Sequence, residues 1–268
     1  MCGIAGYSLS PESSVERTLA AQALLAGIAE RGADAVGYAH RGSSSSSVTV
    51  HKRRSGASAL LDEVHVPSAS TQLLVHVRDY TKGHPTIEAN NHPIRHGSVV
   101  GIHNGIIVND EEIFARYGFE RAHPDMTVDS EAIFALAEHA EGSPEALEEL
   151  RGAMATAWLD ERMGSVLFLA RALGRPLWIG TAAPGLFFAS TRDALELLEQ
   201  TLRLSLRKRE VDEGMLLRIE SGRITGSDRF KPDRSYVEET ILPSVRAPHE
   251  GASCLQRLAA ITLATRPT

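Results

Sequence analysis

Cysteine stands at position 2, directly behind the initiator methionine. Removal of Met1 would leave Cys2 as the new N-terminus, with a thiol and a free α-amino group on one residue. An α-amine with a pKa of about 7.7 to 8.0 can take the thiol proton near neutral pH, so nucleophile and general base share that residue. An isolated cysteine is also commonly a small buried hydrophobe, and the rest of the chain must decide between the two. His103-Asn104-Gly105 follows an apolar run that reads as a strand, which puts Asn-Gly at the strand end. There Asn104 Nδ2 and the Gly105 N–H could aim at one oxygen, as an oxyanion hole requires; the competing reading is an ordinary Asn-Gly hairpin turn. Arg78 ends another apolar run and could bind a carboxylate bidentately. Asp129 could bind the opposite charge, so the two together suit the α-carboxylate and α-ammonium of a free amino acid. Taken singly they read as a surface charge and a helix cap. His92, before Pro93, positions a loop or is a structural histidine.

The elements that must hold these groups follow from periodicity. Residues 3 to 8 read as a buried strand that ties the terminus into the core, and residues 14 to 30 carry apolar positions at helical spacing. Strands are expected over 36–39, 48–51, 73–77 and 98–103, with a polar functional loop over 78–97 between the last two. Helices are expected over 110–117, 130–140 and 144–154, with Asp129 as the cap of the second. Strands resume over 157–160, 165–170, 177–181 and 186–189, then a helix over 192–200 and a closing hairpin over 215–219 and 223–225. Strands, helices, strands in that order predict an α+β fold: two antiparallel sheets covered by helices on their outer faces, a four-layer αββα sandwich. The chain divides into a domain over 1–225 and an extended C-terminal tail over 226–268, broken by Pro232, Pro243 and Pro248, with one short helix near 255–263. In that tail Tyr236, Val237, Ile241 and Leu242 are a candidate docking segment.

Composition limits what else the protein can be. With 43% hydrophobic and 23% charged residues in 268, the chain reads as an ordinary globular protein. A net charge of −6 gives no electrostatic reason to bind nucleic acid or an anionic membrane, and Lys52-Arg53-Arg54 reads as a solvated turn. No apolar run approaches the roughly 18 to 20 residues of a membrane span, and no leader pattern opens the chain. Two cysteines, Cys2 and Cys254, describe neither a disulfide framework nor a metal cluster, so a reducing, cytoplasmic location is expected.

Met-Cys-Gly-Ile-Ala-Gly-Tyr at 1–7, Arg31-Gly32-Ala33-Asp34-Ala35-Val36-Gly37, His76-Val77-Arg78, Asn91-His92-Pro93, His103-Asn104-Gly105-Ile106-Ile107-Val108-Asn109 and Val128-Asp129-Ser130-Glu131 occur in a fixed order. In that order and spacing they resemble the class II glutamine amidotransferases, most of all the glutaminase domain of glucosamine-6-phosphate synthase, from residue 1 to about 225. The resemblance implies an N-terminal nucleophile hydrolase fold, Cys2 as nucleophile, Asn104 and Gly105 as oxyanion hole, Arg78 and Asp129 as glutamine clamp, and His92 near the site. It implies a thioester route from glutamine to glutamate and ammonia that needs no metal or organic cofactor. Where the family usually has Trp-Ala-Thr-His-Gly, this chain has Asp79-Tyr80-Thr81-Lys82-Gly83. Thr81 and Gly83 are kept for glutamine binding, whereas Asp79 cannot fill the apolar volume of a gating tryptophan. No synthase half is recognisable, so a separate acceptor enzyme is expected, for amino-sugar or deazapurine-type base modification. Two alternatives are a γ-glutamyl amide hydrolase and a catalytically silent regulatory subunit.

Overall fold

The computed structural model describes residues 1–238 and 243–264; Ile241 and Leu242 of the candidate docking segment lie outside the described residues. Its strands in chain order are β1 (Gly3–Leu9), β2 (Ala35–Gly42), β3 (Thr49–Arg53), β4 (Ser70–Arg78), β5 (Ile94–His96), β6 (Val99–Ile107) and β7 (Gly152–Asp160). They continue with β8 (Val166–Arg171), β9 (Trp178–Ala182), β10 (Gly185–Ala189), β11 (Arg207–Glu210), β12 (Met215–Glu220) and β13 (Arg223–Arg229). The helices are α1 (Arg17–Ile28), α2 (Asp110–Tyr117), α3 (Glu131–His139), α4 (Arg192–Leu202) and α5 (Pro248–Ala264).

Two antiparallel sheets result, one ordered β11-β9-β10-β1-β4-β2-β3 and the other β13-β12-β8-β7-β6-β5. The apolar alternation of each strand explains the stacking. In β1, Ile4 joins Leu74, Ile102, Leu169, Ile179 and Phe188 in a layer between the sheets. Ala5, Tyr7 and Leu9, pointing the other way, join Leu24, Leu195 and Leu258 under α1, α4 and α5. The second sheet covers its outer face with α3, where Phe134, Met154, Trp158 and Phe168 share one cluster. Trp158 and Phe168 stack with centroids 4.9 Å apart. The α+β, αββα sandwich of two antiparallel sheets expected from the sequence is the fold observed.

Local signals set the helix ends. Glu16 caps α1, its carboxylate accepting from Thr18 N–H at 3.1 Å and from Leu19 N–H, and Thr191 caps α4. Gly118 closes α2 in the left-handed conformation at φ +66.

Three expectations are corrected. The helix expected over 144–154 is a short 3-10 segment, Pro144–Glu149, and β7 has already begun at Gly152. Ala153, Met154 and Ala155 carry no strong local preference for strand, and the ladder to β6, joined by β8 from Ala155 onward, decides their state. Within the expected tail, β13 runs across residue 225, and Pro248–Ala264 is a 17-residue helix in place of a short one. Helix α5 buries Cys254 and Leu258 against α1, and the Glu250 carboxylate accepts from Ser58 N–H at 2.8 Å. Lys52 and Arg53 belong to edge strand β3 rather than a turn, and Arg53 pairs with Glu63 in solvent.

The layer between the sheets carries the docking of one sheet on the other, and Leu169 is fully buried in it. Leu169→Ala should cost about 2 to 5 kcal/mol. The check is urea unfolding, with the midpoint lowered and the m-value unchanged.

Candidate active site

Pairing register brings the site together. Gly3 lies opposite Val77 across β1 and β4, so Cys2 and Arg78, one residue further along each strand, become neighbours. Ala35 lies opposite Arg78 on the other side, and Asp34, just before it, accepts from Tyr80 N–H at 2.9 Å. From the facing sheet, the carbonyl of His103 on β6 lies 3.0 Å from His76 Nε2 on β4, bridging the two layers next to Asn104 and Gly105. Cys2, Arg78, Thr81, His92, Gly105 and Asp129 all line one small cavity.

Asn104-Gly105 is not at a strand end and is not a hairpin turn. β6 continues through it to Ile107, with Asn104 opposite Ala155 and Gly105 opposite Met154 on β7. Gly105 has φ +153, and a Cβ there would lie 1.8 Å from the Ala153 carbonyl oxygen, so glycine is required. The side chain of Asn104 is fully buried, and neither its Nδ2 nor its Oδ1 has a hydrogen-bond partner among the described residues. A buried amide left unpaired costs about 1 to 3 kcal/mol.

Arg78 and Asp129 are the buried charges of the cavity. The Arg78 guanidinium donates from Nη1 to Asn91 Oδ1 at 2.6 Å, and from Nη2 to the Lys82 carbonyl at 2.9 Å and the Gly83 carbonyl. It thus folds the loop over itself with neutral acceptors while its charge stays unmatched by any carboxylate within ion-pair distance among the described residues. Burial is the main influence on it and lowers its pKa, opposed by the field of the Cys2 thiol and Asp129. Asp129 does not cap α3, whose N-cap is Ser130 without a side-chain bond. Its Oδ2 instead accepts from Ile107 N–H at 2.7 Å, tying the segment before α3 to β6. Burial pushes its carboxyl from 3.8 up to about 6, the Ile107 bond opposing the rise.

Cys2 is partly buried, and its Sγ–H donates to the Asp79 carbonyl at 3.5 Å. Burial raises its pKa, with the Asp79 bond and the charge of Arg78 acting against the rise. A thiol in that state needs a base to become a nucleophile. Cys254 is buried under α5 with its thiol pushed up to about 12 by burial, an inert packing residue. His76 and His92 stack with centroids 4.1 Å apart, and burial takes His76 and His103 down to about 3 and His92 well below its ordinary range. All three are neutral at physiological pH: His76 and His103 contribute hydrogen bonds, and His92, whose ring nitrogens have no partner among the described residues, contributes shape. Thr81 is exposed at the cavity mouth.

Positioning residues that sequence reasoning did not single out surround these groups. Arg31 is buried and donates from Nε to the Cys2 carbonyl at 2.9 Å. Asn90 Oδ1 accepts from Thr127 N–H at 2.8 Å and Val128 N–H at 3.1 Å, fixing the approach to Asp129. Lys82 Nζ donates to both Asp110 oxygens at 2.8 Å and pins the loop to α2. Arg31, Asp34 and Asn91 fall inside the quoted motifs, which is the signal that could have found them; Lys82 carried none. No group of histidine, cysteine and carboxylate residues among the described residues could hold a metal ion. The cavity has about 10 Å³ of free volume, room for about one water, so a ligand as large as an amino acid must displace the covering loop.

Residues 81–197 match the family model described as glutamine amidotransferase domain. The chain is 31% identical over 218 residues to glutamine–fructose-6-phosphate aminotransferase (isomerizing) of Vibrio vulnificus strain YJ016, covering 76% of this chain and 33% of that protein. It is 30% identical over 213 residues to the protein of that name from Bradyrhizobium diazoefficiens, covering 75% and 33%. The chain thus spans a third or less of the length of the curated relatives it matches. In structure it is similar to the glutamine phosphoribosylpyrophosphate amidotransferase from B. subtilis, with TM-score 0.65 and 19% identity, covering 85% of this chain and 49% of that one.

Asp129 also carries a stability signature. Its folded pKa of about 6 lies above the unfolded 3.8, so the native state loses stability as pH rises through that window. Asp129→Asn removes the buried charge and should raise stability at pH 7 by about 1 to 3 kcal/mol, with the gain vanishing below about pH 4. Thermal melts of both forms between pH 4 and pH 7.5 check it.

Proposed function

Because this chain carries a class II glutamine amidotransferase domain, we propose that it hydrolyses glutamine to glutamate and ammonia through a thioester on Cys2 and passes the ammonia to a separate acceptor enzyme. One observation carries the reading: a buried guanidinium and a buried carboxylate, Arg78 and Asp129, line the cavity of Cys2 without neutralising each other. An amino acid brings the two charges that they lack. Its α-carboxylate would meet Arg78 and its α-ammonium Asp129, placing the side-chain amide toward Cys2 and Asn104.

In the processed chain the α-amine of Cys2 takes the thiol proton, and Sγ attacks the amide carbon. The developing oxyanion is held by Asn104 Nδ2 and the Gly105 N–H. Collapse of the tetrahedral intermediate breaks the C–N bond, and the proton on the α-amine goes to the departing nitrogen, which leaves as ammonia. Water, deprotonated by the same amine, then cleaves the thioester to glutamate and restores the thiol. Thr81 at the mouth and His92 behind Arg78 complete the pocket, and no cofactor enters a step. The Vibrio and Bradyrhizobium relatives are named for amination of fructose-6-phosphate, and a sugar-phosphate acceptor or a deazapurine-type base suits the same ammonia donor. The buried, unpaired Asn104 amide favours an active enzyme over a silent regulatory subunit, since a binding role alone would not maintain its cost.

Two outcomes follow. A glutamine-analogue electrophile should label Met1-free protein once, at Cys2 and not at Cys254, and should leave a form that keeps Met1 unlabelled; peptide mass spectrometry reads this, and stoichiometric labelling behind a retained Met1 would refute the mechanism. In steady-state assays of glutamate release, Asn104→Ala should lower kcat by about 10² to 10³, while Arg78→Ala should act mainly on KM because its contacts exist in the ground state. An unchanged kcat in the Asn104 variant would reverse the assignment.

A further inference from the structure

Asp79 contacts both chemical halves of the N-terminus. Its carbonyl accepts from the Cys2 thiol at 3.5 Å, and its carboxylate pairs with the α-ammonium of Met1. The same carboxylate oxygen accepts from Arg246 Nε at 3.1 Å. Arg246 comes from the segment entering α5, and its own N–H and that of Ala247 donate to the Glu30 carbonyl at 2.9 and 2.8 Å. Glu30 adjoins Arg31, whose Nε holds the Cys2 carbonyl. The short 3-10 turn Ala29–Arg31 therefore fixes both the nucleophilic residue and the cation that shares Asp79 with the terminus.

Loss of Met1 moves the amine back by one residue, a bond path of about 4.3 Å. The Asp79 carboxylate, which touches the Met1 ammonium, is then about one residue's length from the α-amine of Cys2. We propose that Asp79 is a positioning residue that binds the α-ammonium of Cys2 in the processed enzyme, and that Arg246 of the C-terminal segment sets the strength of that hold by competing for the same carboxylate. The inference rests on the reading of Cys2 as nucleophile and its amine as base.

The consequence is a tuned base. The amine must be neutral to take the thiol proton, and an anion a few Å away favours its charged form, whereas Arg246 on that anion weakens the effect. The other charges facing the terminus are Arg78 beside Asp79, Arg31 on the Cys2 carbonyl, Asp34 on Tyr80 N–H, and Glu238, which pairs with Arg175 at 2.6 Å. His76 and His92 are held neutral by burial. Among the described residues, Asp79 is the one that bonds the terminal ammonium directly.

The test uses Met1-free protein, verified by intact mass, as wild type, Asp79→Asn, Arg246→Ala and the double variant. Competitive acetylation with acetic anhydride across pH, read on the N-terminal peptide, gives the protonation midpoint of the amine without requiring turnover; kcat/KM for glutamine across pH gives its acidic limb. Asp79→Asn should move both down by about 0.5 to 1 pH unit, and Arg246→Ala should move both up by a similar amount. The double variant should match Asp79→Asn alone, because Arg246 acts through Asp79. A midpoint unmoved by Asp79→Asn, or an Arg246 effect that persists without Asp79, overturns the inference while leaving the glutaminase reading intact. Shifted amine midpoints in a protein that never releases glutamate overturn the glutaminase reading and with it the role of the amine as base.

Discussion

Everything at the site depends on a chain terminus being held at the end of an inner strand. β1 lies between β10 and β4 and is buried along its length, so the residue before it has little freedom to fray. A terminus on an edge strand would expose the same thiol and the same amine but would not hold them against a fixed partner. Here the ladder to β4 fixes Cys2 beside Arg78, and Arg31 fixes the Cys2 carbonyl from the other side. The cost is a thiol pushed toward its protonated form by burial, which is why an adjacent base is needed in the proposed reaction.

The second constraint is electrostatic. The interior between the ends of the two sheets contains a guanidinium, a carboxylate and three histidines, all buried. Burial makes the histidines neutral, so His76 and His103 brace the backbone without contributing charge to the cavity. Arg78 and Asp129 are each satisfied by neutral groups, loop carbonyls and Asn91 in one case and the Ile107 N–H in the other. Neither charge is met by an opposite charge within ion-pair distance among the described residues, and the zwitterion of the proposed reaction would answer both. The same bonds that prepare the site also close it, since Arg78 gathers the Lys82 and Gly83 carbonyls over the cavity and Lys82 latches the loop to Asp110.

Helix α5 gives the C-terminal segment a structural part in this arrangement. It packs on α1 and on the turn that holds Cys2, and Glu250 and Arg257 tie it to Ser58 and Asp62. Arg246 reaches Asp79 from its entry, so the segment before α5 and the Met1 ammonium meet at one carboxylate.

Much of this was legible in the residues alone. Strict apolar periodicity located β1, α2 and α4, and strand-helix-strand order gave the αββα layering, because burying one face of a sheet or helix leaves few arrangements. The spacing of Cys2, Arg78, Asn104, Gly105 and Asp129 pointed to one kind of chemistry before any of them had a position. Local pattern failed where partners outweigh preference: residues 152–154 are strand because β6 pairs along them, and Asn104-Gly105 runs on as strand because β7 continues opposite it. Asp129 looked like a helix cap since capping is the local use of an aspartate, but the nearer donor in three dimensions is Ile107 N–H. The sequence by itself determined which groups were available and which layers would form. Only the tertiary structure decided which of those groups are buried together around one cavity and which lack a hydrogen bond or an opposite charge, because register and burial are set by strands far apart in the chain.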